Sequence, residues 1–559
     1  MSKISLTTVL HRFLTAAVFL SVSAFTSAVL AQSTVIENIN GYTLKDNQLL
    51  KFNAIKFSND KIDKLYLSGE KVKPAKNVNI IDGQGKTLIP GLIDAHGHVL
   101  SYGLSLLRAD VSATSSEADA VNRVLEYTKN NQQMTWIQGR GWNQVQWPSN
   151  QFPTAASLDK HFKDTPVVLG RVDGHAIWVN SKAMQLAGIS KVTADVEGGQ
   201  IIRDSKGDAS GVFVDNAMNL IYSKIPALTP KETQHALKIA MRALASVGLT
   251  SVHDAGISSS NIAAYKQLSS NNEMLIRVNA MIDVTDNQWQ QQMAKGPYAS
   301  ADQMLTINSV KISADGALGS RGAALIADYS DKPHHKGLLL HSEADLTRLI
   351  KTSMLAGFQV NTHAIGDNAN KMVIDNYQTL IKETKSKHLR HRVEHAQVLR
   401  IKDIPRFAEN GIIASMQATH ATSDKNMAED RLGSDRIKGA YAWRSLLANK
   451  AVIAAGSDFP VESPNPFFGL HASITRQDKQ NQPMNGWYSN EGMSMIEAFK
   501  SFTLDAAYAG HQETMIGSLQ DNKKADFILL DQDIFTITPE HIWQTKVLQT
   551  WVNGKQITP

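Results

Sequence analysis

The sequence predicts a closed eight-stranded α/β barrel, flanked by a small β domain built from both chain ends and interrupted by a subdomain after the first barrel strand. Three observations predict it. Short apolar segments recur eight times with helical-period stretches between them; β-rich, turn-punctuated segments occur near both ends; and one connection is far too long for a barrel loop.

The eight strand candidates are residues 92–98, 250–254, 277–283, 310–315, 358–363, 391–395, 411–417 and 452–458. Each is short and apolar, as strands covered by helices must be, and eight parallel strands suffice to close a (β/α)8 barrel. At the N-terminal side, Val35-Ile36-Glu37-Asn38-Ile39 and Lys64-Leu65-Tyr66-Leu67 alternate with Gly and Asn turns. At the C-terminal side, Ala525 to Leu530 and Val547 to Val552 read as strands, the latter closed by the hairpin dipeptide Asn553-Gly554. The expected division is a signal segment 1–31, a β-sandwich from 32–90 plus 506–559, and a barrel over 91–505 with an insertion at 109–226.

Length and composition agree with one large domain plus additions. The 559 residues are 42% apolar and 19% charged. Such a balance describes a globular chain able to bury a large core. Lys3, His11 and Arg12 precede an apolar run from Phe13 to Leu20, and small residues follow up to Ala31, the pattern of a secretory signal peptide rather than a stable membrane span. The alternative is an uncleaved signal anchor. Cleavage after Ala31 removes Lys3 and Arg12 from the 57 basic side chains, leaving 55 against 52 acidic ones, too slight an excess to suggest nucleic acid as partner. The chain has no cysteine, so disulfides, thiolate metal ligands and a lipobox anchor are excluded. Any metal must be held by His, carboxylate or modified Lys, and the expected location is the periplasm or the medium.

The chemistry is concentrated at strand ends. In His96-Gly97-His98 two imidazoles at i and i+2 point to one face of a strand and can reach a single ion. Alone the motif says little, since 18 histidines would yield roughly 0.6 such pairs by chance. However, His363, His395 and Asp458 also close apolar runs, and strand ends of a barrel converge at its C-terminal mouth, where active sites of this architecture lie. The alternative is a set of core histidines satisfied by hydrogen bonds. Lys311 sits within the apolar strand Val310-Lys311-Ile312; a buried ammonium there is costly unless modified or paired, and a carbon dioxide adduct would convert it to an anionic metal bridge. An outward register, or an ion pair with Asp315, is the alternative.

Several longer segments carry a resemblance. Ile89-Pro90-Gly91-Leu92-Ile93-Asp94-Ala95-His96-Gly97-His98, Asp173-Gly174-His175 with Trp178-Val179-Asn180-Ser181, and Ser251-Val252-His253-Asp254-Ala255-Gly256 are three of them. Ala314-Asp315-Gly316-Ala317-Leu318-Gly319-Ser320-Arg321, Thr362-His363-Ala364-Ile365-Gly366-Asp367, Arg392-Val393-Glu394-His395-Ala396-Gln397, Met416-Gln417-Ala418-Thr419-His420 and Gly456-Ser457-Asp458-Phe459-Pro460-Val461 complete the set. With these the chain resembles the amidohydrolase superfamily, in particular the family 3 branch that includes N-substituted formamide deformylases. The resemblance implies a (β/α)8 barrel with a flanking β-sandwich and one or two divalent ions, zinc foremost. It implies that His96 and His98 bind the more buried ion and His363 and His395 the second, that Lys311 bridges if carboxylated, and that Asp458 contacts the metal and acts as general base. The reaction it implies is hydrolysis of a C–N bond in a small amide.

His175 and Trp178 match a family segment facing the mouth, where they either contact substrate or pack the insertion. Asp315 and Arg321 either orient a polar substrate group or form a structural pair. His420 and Arg476 are weaker candidates, and His334-His335 reads as solvated surface. Deamination, cyclic-amide opening, and a metal-stabilised binding or regulatory protein without turnover are the competing functions. Substrate identity and homo-oligomer formation are not legible in the sequence.

Overall fold

The computed structural model describes residues 33–73, 77–131, 135–171, 176–196 and 199–557. The proposed signal segment, residues 1–31, and His175 lie outside the described residues.

Eight parallel strands form the barrel: β1 (Leu92–Gly97), β2 (Leu249–Ile257), β3 (Arg277–Asp283), β4 (Leu305–Ser313), β5 (Gln359–Ala364), β6 (Arg392–His395), β7 (Ile413–Gln417) and β8 (Val452–Gly456). Each pairs in parallel with its sequence neighbour from β1 round to β8. The last seam is closed at the mouth, where the Asp458 amide donates to the His96 carbonyl at 2.7 Å. All eight strands expected from the sequence are present. Outward-facing side chains of the strands, such as Val252, Val278, Val360 and Val393, join the main apolar core beneath the helices.

The helix Pro230–Ser246 shows how local signals set the outer layer. Thr229 and Glu232 form a reciprocal capping box and Pro230 occupies the first turn, where no amide partner is needed. Ala236, Leu237, Ala240, Met241 and Leu244 recur at helical spacing and are buried against the barrel.

Strands from both chain ends share one eight-stranded sheet. Val78–Pro90 pairs in parallel with Ser33–Lys45 and antiparallel with Phe527–Leu530, so the chain's two ends meet along a single strand. The expected hairpin turn is present, with φ of 51° at Asn553 and 68° at Gly554. Two successive positive values are what a tight primed turn requires. Phe57, Phe527 and Trp551 pack together in this domain's own core.

The long connection after β1 carries a six-stranded sheet that includes Ile137–Trp142, Val167–Arg171 and Ala176–Val179. Trp142, Trp147 and Trp178 meet edge-on or tilted at its centre. No helix among the described residues is long and apolar enough to cross a membrane.

Candidate metal centre

The end of β1 is fixed to the end of β8 by a carboxylate. Asp94, on the same face as His96, accepts from the His96 amide at 3.0 Å, from the Ser457 amide at 3.1 Å and from the Ser457 hydroxyl at 2.6 Å. Asp458 follows directly, with φ of 61°, and His395 at the end of β6 has φ of 71°. Left-handed backbone is uncommon outside Gly, though Asp and His adopt it more readily than most side chains, and here it turns both residues into the mouth. Gly97 also has a physical reason that spacing alone does not reveal. A Cβ there would lie 2.1 Å from a ring carbon of Phe459, whose carbonyl accepts from the His98 amide at 2.8 Å.

These constraints gather the expected side chains. Asp458 Oδ1 lies 3.0 Å from His98 Nε2 and 3.5 Å from His96 Nε2. The His395 ring centroid is 4.9 Å from that of His96 and 4.5 Å from that of His363. One ligand atom from each of His96, His395 and Asp458 falls within 4.8 Å of the others. A single ion can bridge that spacing. His96 Nε2, His363 Nε2 and Asp458 Oδ1 are buried with no hydrogen-bond partner, whereas buried polar atoms are normally satisfied. The opposite ring nitrogens are engaged: His96 Nδ1 meets Glu394 Oε2 and His395 Nδ1 lies 2.7 Å from Gln417 Oε1. With Nδ1 donating to these oxygens, Nε2 of each ring is left as a lone-pair donor, as metal-binding imidazoles require. The donor set therefore fits a divalent ion.

The electrostatics favour neutral imidazoles. Burial, reinforced by the nearby Lys311 charge, lowers His96 to about 4 and His363 to about 3. Burial likewise pushes His395 well below its ordinary value, with the His363 and His96 charges adding to it. For Asp458, burial opposes ionisation, but the adjacent His98 ring and the facing His96, His395 and His420 hold the carboxyl well below the usual range. Lys311 points inward and is 7% exposed; burial lowers its pKa against the pull of Glu394, Asp458 and Asp283. Its alternative partner is taken, because the Asp315 carboxylate accepts from the amides of Ala324, Ile365 and Gly366 at 2.8, 3.0 and 2.8 Å.

The remaining candidates are distributed differently. Asp315 is buried 3.5 Å from His363 Nε2, and its three amide bonds make it a brace for the loops after β4 and β5. Arg321 is held by Asp331, at 3.1 and 2.8 Å, rather than by Asp315, and Asp331 also takes Arg431. Trp178 is sealed in the core of the insertion with its N–H donated to the Thr154 carbonyl at 2.8 Å, so packing is the role its surroundings give it. His420 belongs to the cluster more closely than its sequence context suggests: its Nε2 is 3.7 Å from Asp458 Oδ2 and its ring stacks on His395. Arg476 instead lies between Trp443 and Trp487.

Sequence reasoning missed the layer beneath the cluster. Arg392 Nη2 donates to Glu394 Oε2 at 2.9 Å and to the Ala95 carbonyl, and Nη1 lies 2.9 Å from His253 Nδ1, making a buried line His253–Arg392–Glu394–His96. Its only sequence signal is the alternation Arg392-Val393-Glu394, two charges facing inward from a barrel strand.

A parallel barrel with a buried histidine–carboxylate cluster at its C-terminal mouth defines a class of barrel hydrolases that work with divalent metal. The comparisons identify the family. Residues 79–558 match the model of the amidohydrolase family, and the chain belongs to that family. A Bacillus subtilis (strain 168) protein, YtcJ, whose own description as an amidohydrolase is provisional, is 33% identical over 84% of this chain and 89% of its own. N-substituted formamide deformylase of Arthrobacter pascens is 23% identical over 86% of this chain and 90% of its own. Among solved structures, an uncharacterised metal-dependent hydrolase from Pyrococcus furiosus superposes with a TM-score of 0.75 at 25% identity, covering 90% of this chain and 99% of that one.

Proposed function

We propose that this chain is an exported zinc-dependent hydrolase that cleaves a non-peptide C–N bond in a small amide. The observation that carries the reading is the buried, unpartnered set His96 Nε2, His363 Nε2 and Asp458 Oδ1, gathered where barrel strands end. The relative that is by name an N-substituted formamide deformylase supports the bond class. In this reading His96 and His98 hold the more buried ion and His363 and His395 a second, with Lys311 between them as a carbamate. To form it, the neutral Nζ attacks carbon dioxide, an N–C bond is made and one N–H proton is lost to solvent; burial favours the neutral amine that this step needs.

A bound divalent ion supplies water of lowered pKa and polarises the scissile carbonyl. In this reading Asp458 takes the proton of the attacking water on its carboxylate and passes it to the departing nitrogen, as the C–O bond forms and the C–N bond breaks. Asp94 and Ser457 hold the Asp458 backbone in register with β1 while this occurs.

The test pairs zinc-loaded wild type with Asp458→Asn on a panel of N-substituted formamides, simple amides, cyclic amides and amidines, scored for amine, formate and ammonia. We expect amine release from a linear amide and a loss of about a hundredfold or more in the variant at equal zinc content. Equal rates would remove Asp458 from the mechanism, and ammonia release from amidines alone would replace amide hydrolysis with deamination.

A further inference from the structure

Below the metal cluster the barrel interior carries a cation, Arg392 on β6, that is 1% exposed. Its Nη2 directs two protons at three acceptors: the Ala95 carbonyl on β1 at 2.6 Å, the Ser415 hydroxyl on β7 at 2.8 Å and Glu394 Oε2 at 2.9 Å. Nε lies 2.7 Å from Glu394 Oε1, so the guanidinium faces both oxygens of that carboxylate. Nη1 has one partner among the described residues, His253 Nδ1 on β2, at 2.9 Å. Strands β2 and β6 stand four apart in a ring of eight, and the guanidinium is therefore pinned from opposite walls of the barrel.

A guanidinium only donates, so His253 Nδ1 accepts and the ring is neutral with its proton on Nε2. Burial and the Arg392 charge push His253 well below its ordinary value, in agreement with that form. The far side of the ring is backed by Gly510, which ends the helix Leu504–Ala509. A Cβ on Gly510 would lie 2.8 Å from His253 Nε2 and 3.0 Å from Asn279 Nδ2. The helix sits at the N-terminal end of the barrel strands, where its Ala509 carbonyl accepts from Gln359, the first residue of β5, at 2.9 Å. One line of contacts thus runs the depth of the barrel, from Gly510 through His253, Arg392 and Glu394 to His96 Nδ1. His253 brings no charge to this line. What it contributes is direction.

We propose that His253 is a positioning residue for the metal centre: by accepting from Arg392 Nη1 it stops the guanidinium from turning, keeps Glu394 against His96 Nδ1, and so sets the aim of His96 Nε2. The role rests on the reading of the cluster as a divalent-metal site but not on which bond that site cleaves.

Zinc affinity by chelator competition, with the visible spectrum of the cobalt(II)-loaded protein, tests it. His253→Leu removes the acceptor and should weaken zinc about tenfold while shifting the cobalt bands. His253→Asn, with an amide oxygen as acceptor, should restore affinity to within about threefold of wild type. In a Glu394→Gln background His253→Leu should cost less than about twofold more, because its route to His96 is already weakened. If His253→Leu fails to fold, Gly510→Ala presses the same ring from behind and should weaken zinc at least about threefold. A lowered melting temperature of the metal-free protein with unchanged zinc affinity, no rescue by His253→Asn, or the full tenfold loss in the Glu394→Gln background would overturn the proposal. Wild type that binds no zinc would remove the metal centre and this role together, whereas wild type and variants that bind zinc equally would remove the role alone.

Discussion

His96 owes its readiness as a ligand to a residue that neither neighbours it in sequence nor touches the reacting atoms. Glu394 meets its Nδ1, and Arg392 holds Glu394 in turn, through Nε at 2.7 Å. Glu394 is consequently ionised: burial opposes this, but Arg392 and His96 pull its carboxyl far below the ordinary range. Replacing Glu394 by Gln keeps an acceptor for Nδ1 but removes the charge that strengthens His96 as a donor. We expect zinc affinity, read by chelator competition, to fall about 10–100-fold in Glu394→Gln, alongside a loss of metal-free stability because the buried Arg392 guanidinium loses its counter-charge. A lowered metal-free melting temperature with unchanged zinc affinity would make Glu394 merely structural. At this scale the sequence is legible where clustered side chains close strands, as His363, His395 and Asp458 do, and illegible where partners meet across the barrel. Glu394 stands beside one ligand in sequence and serves another in space, 298 residues away.

Elements were legible wherever periodicity and turn chemistry point the same way: the eight barrel strands and the Asn553-Gly554 hairpin follow from local rules. Trp178 was not, because an aromatic in a motif looks the same whether it faces a mouth or a core; only the Trp142 and Trp147 rings beside it decide. Capping is an element-scale device with its own prediction. Ser494 and Glu497 form a capping box on the helix Met495–Ser501, and Arg444 binds the same carboxylate at 2.8 and 2.5 Å. The Arg444 hydrogen bonds, opposed by burial and aided by Ser494, lower Glu497 from 4.5 to about 2. A depressed carboxyl pKa stabilises the fold fully above the unfolded value and loses that contribution as pH falls through the folded one. Glu497→Gln should therefore cost roughly 1–2 kcal/mol at neutral pH, solvent screening keeping it small. The deficit should shrink between about pH 4.5 and 2. Urea unfolding at several pH values measures it; a deficit independent of pH would assign the loss to packing.

The whole molecule depends on holding the barrel and the two-ended sheet together, and a buried ion pair does this at the N-terminal end of β3. Arg277 Nε donates to Asp526 Oδ2 at 2.7 Å, and the Asn553 amide donates to Asp526 Oδ1 at 2.7 Å. Both side chains are almost fully buried. Nothing local announced this joint: Arg277 reads as the first residue of an apolar strand and Asp526 as the polar start of another, and 249 residues separate them. Asp526→Ala strands a guanidinium in the interface and leaves the Asn553 amide without its acceptor. A loss of about 3–5 kcal/mol in unfolding free energy is expected. Arg277→Met with Asp526→Leu removes both charges together, so the double variant should recover more than half of that loss, because the penalty lies in the uncompensated charge rather than in the absent attraction. Urea titrations followed by circular dichroism compare the three proteins. A double variant no more stable than Asp526→Ala would mean that the hydrogen bonds to Asn553 and to the Gln303 carbonyl, not the balance of charge, hold the two domains together.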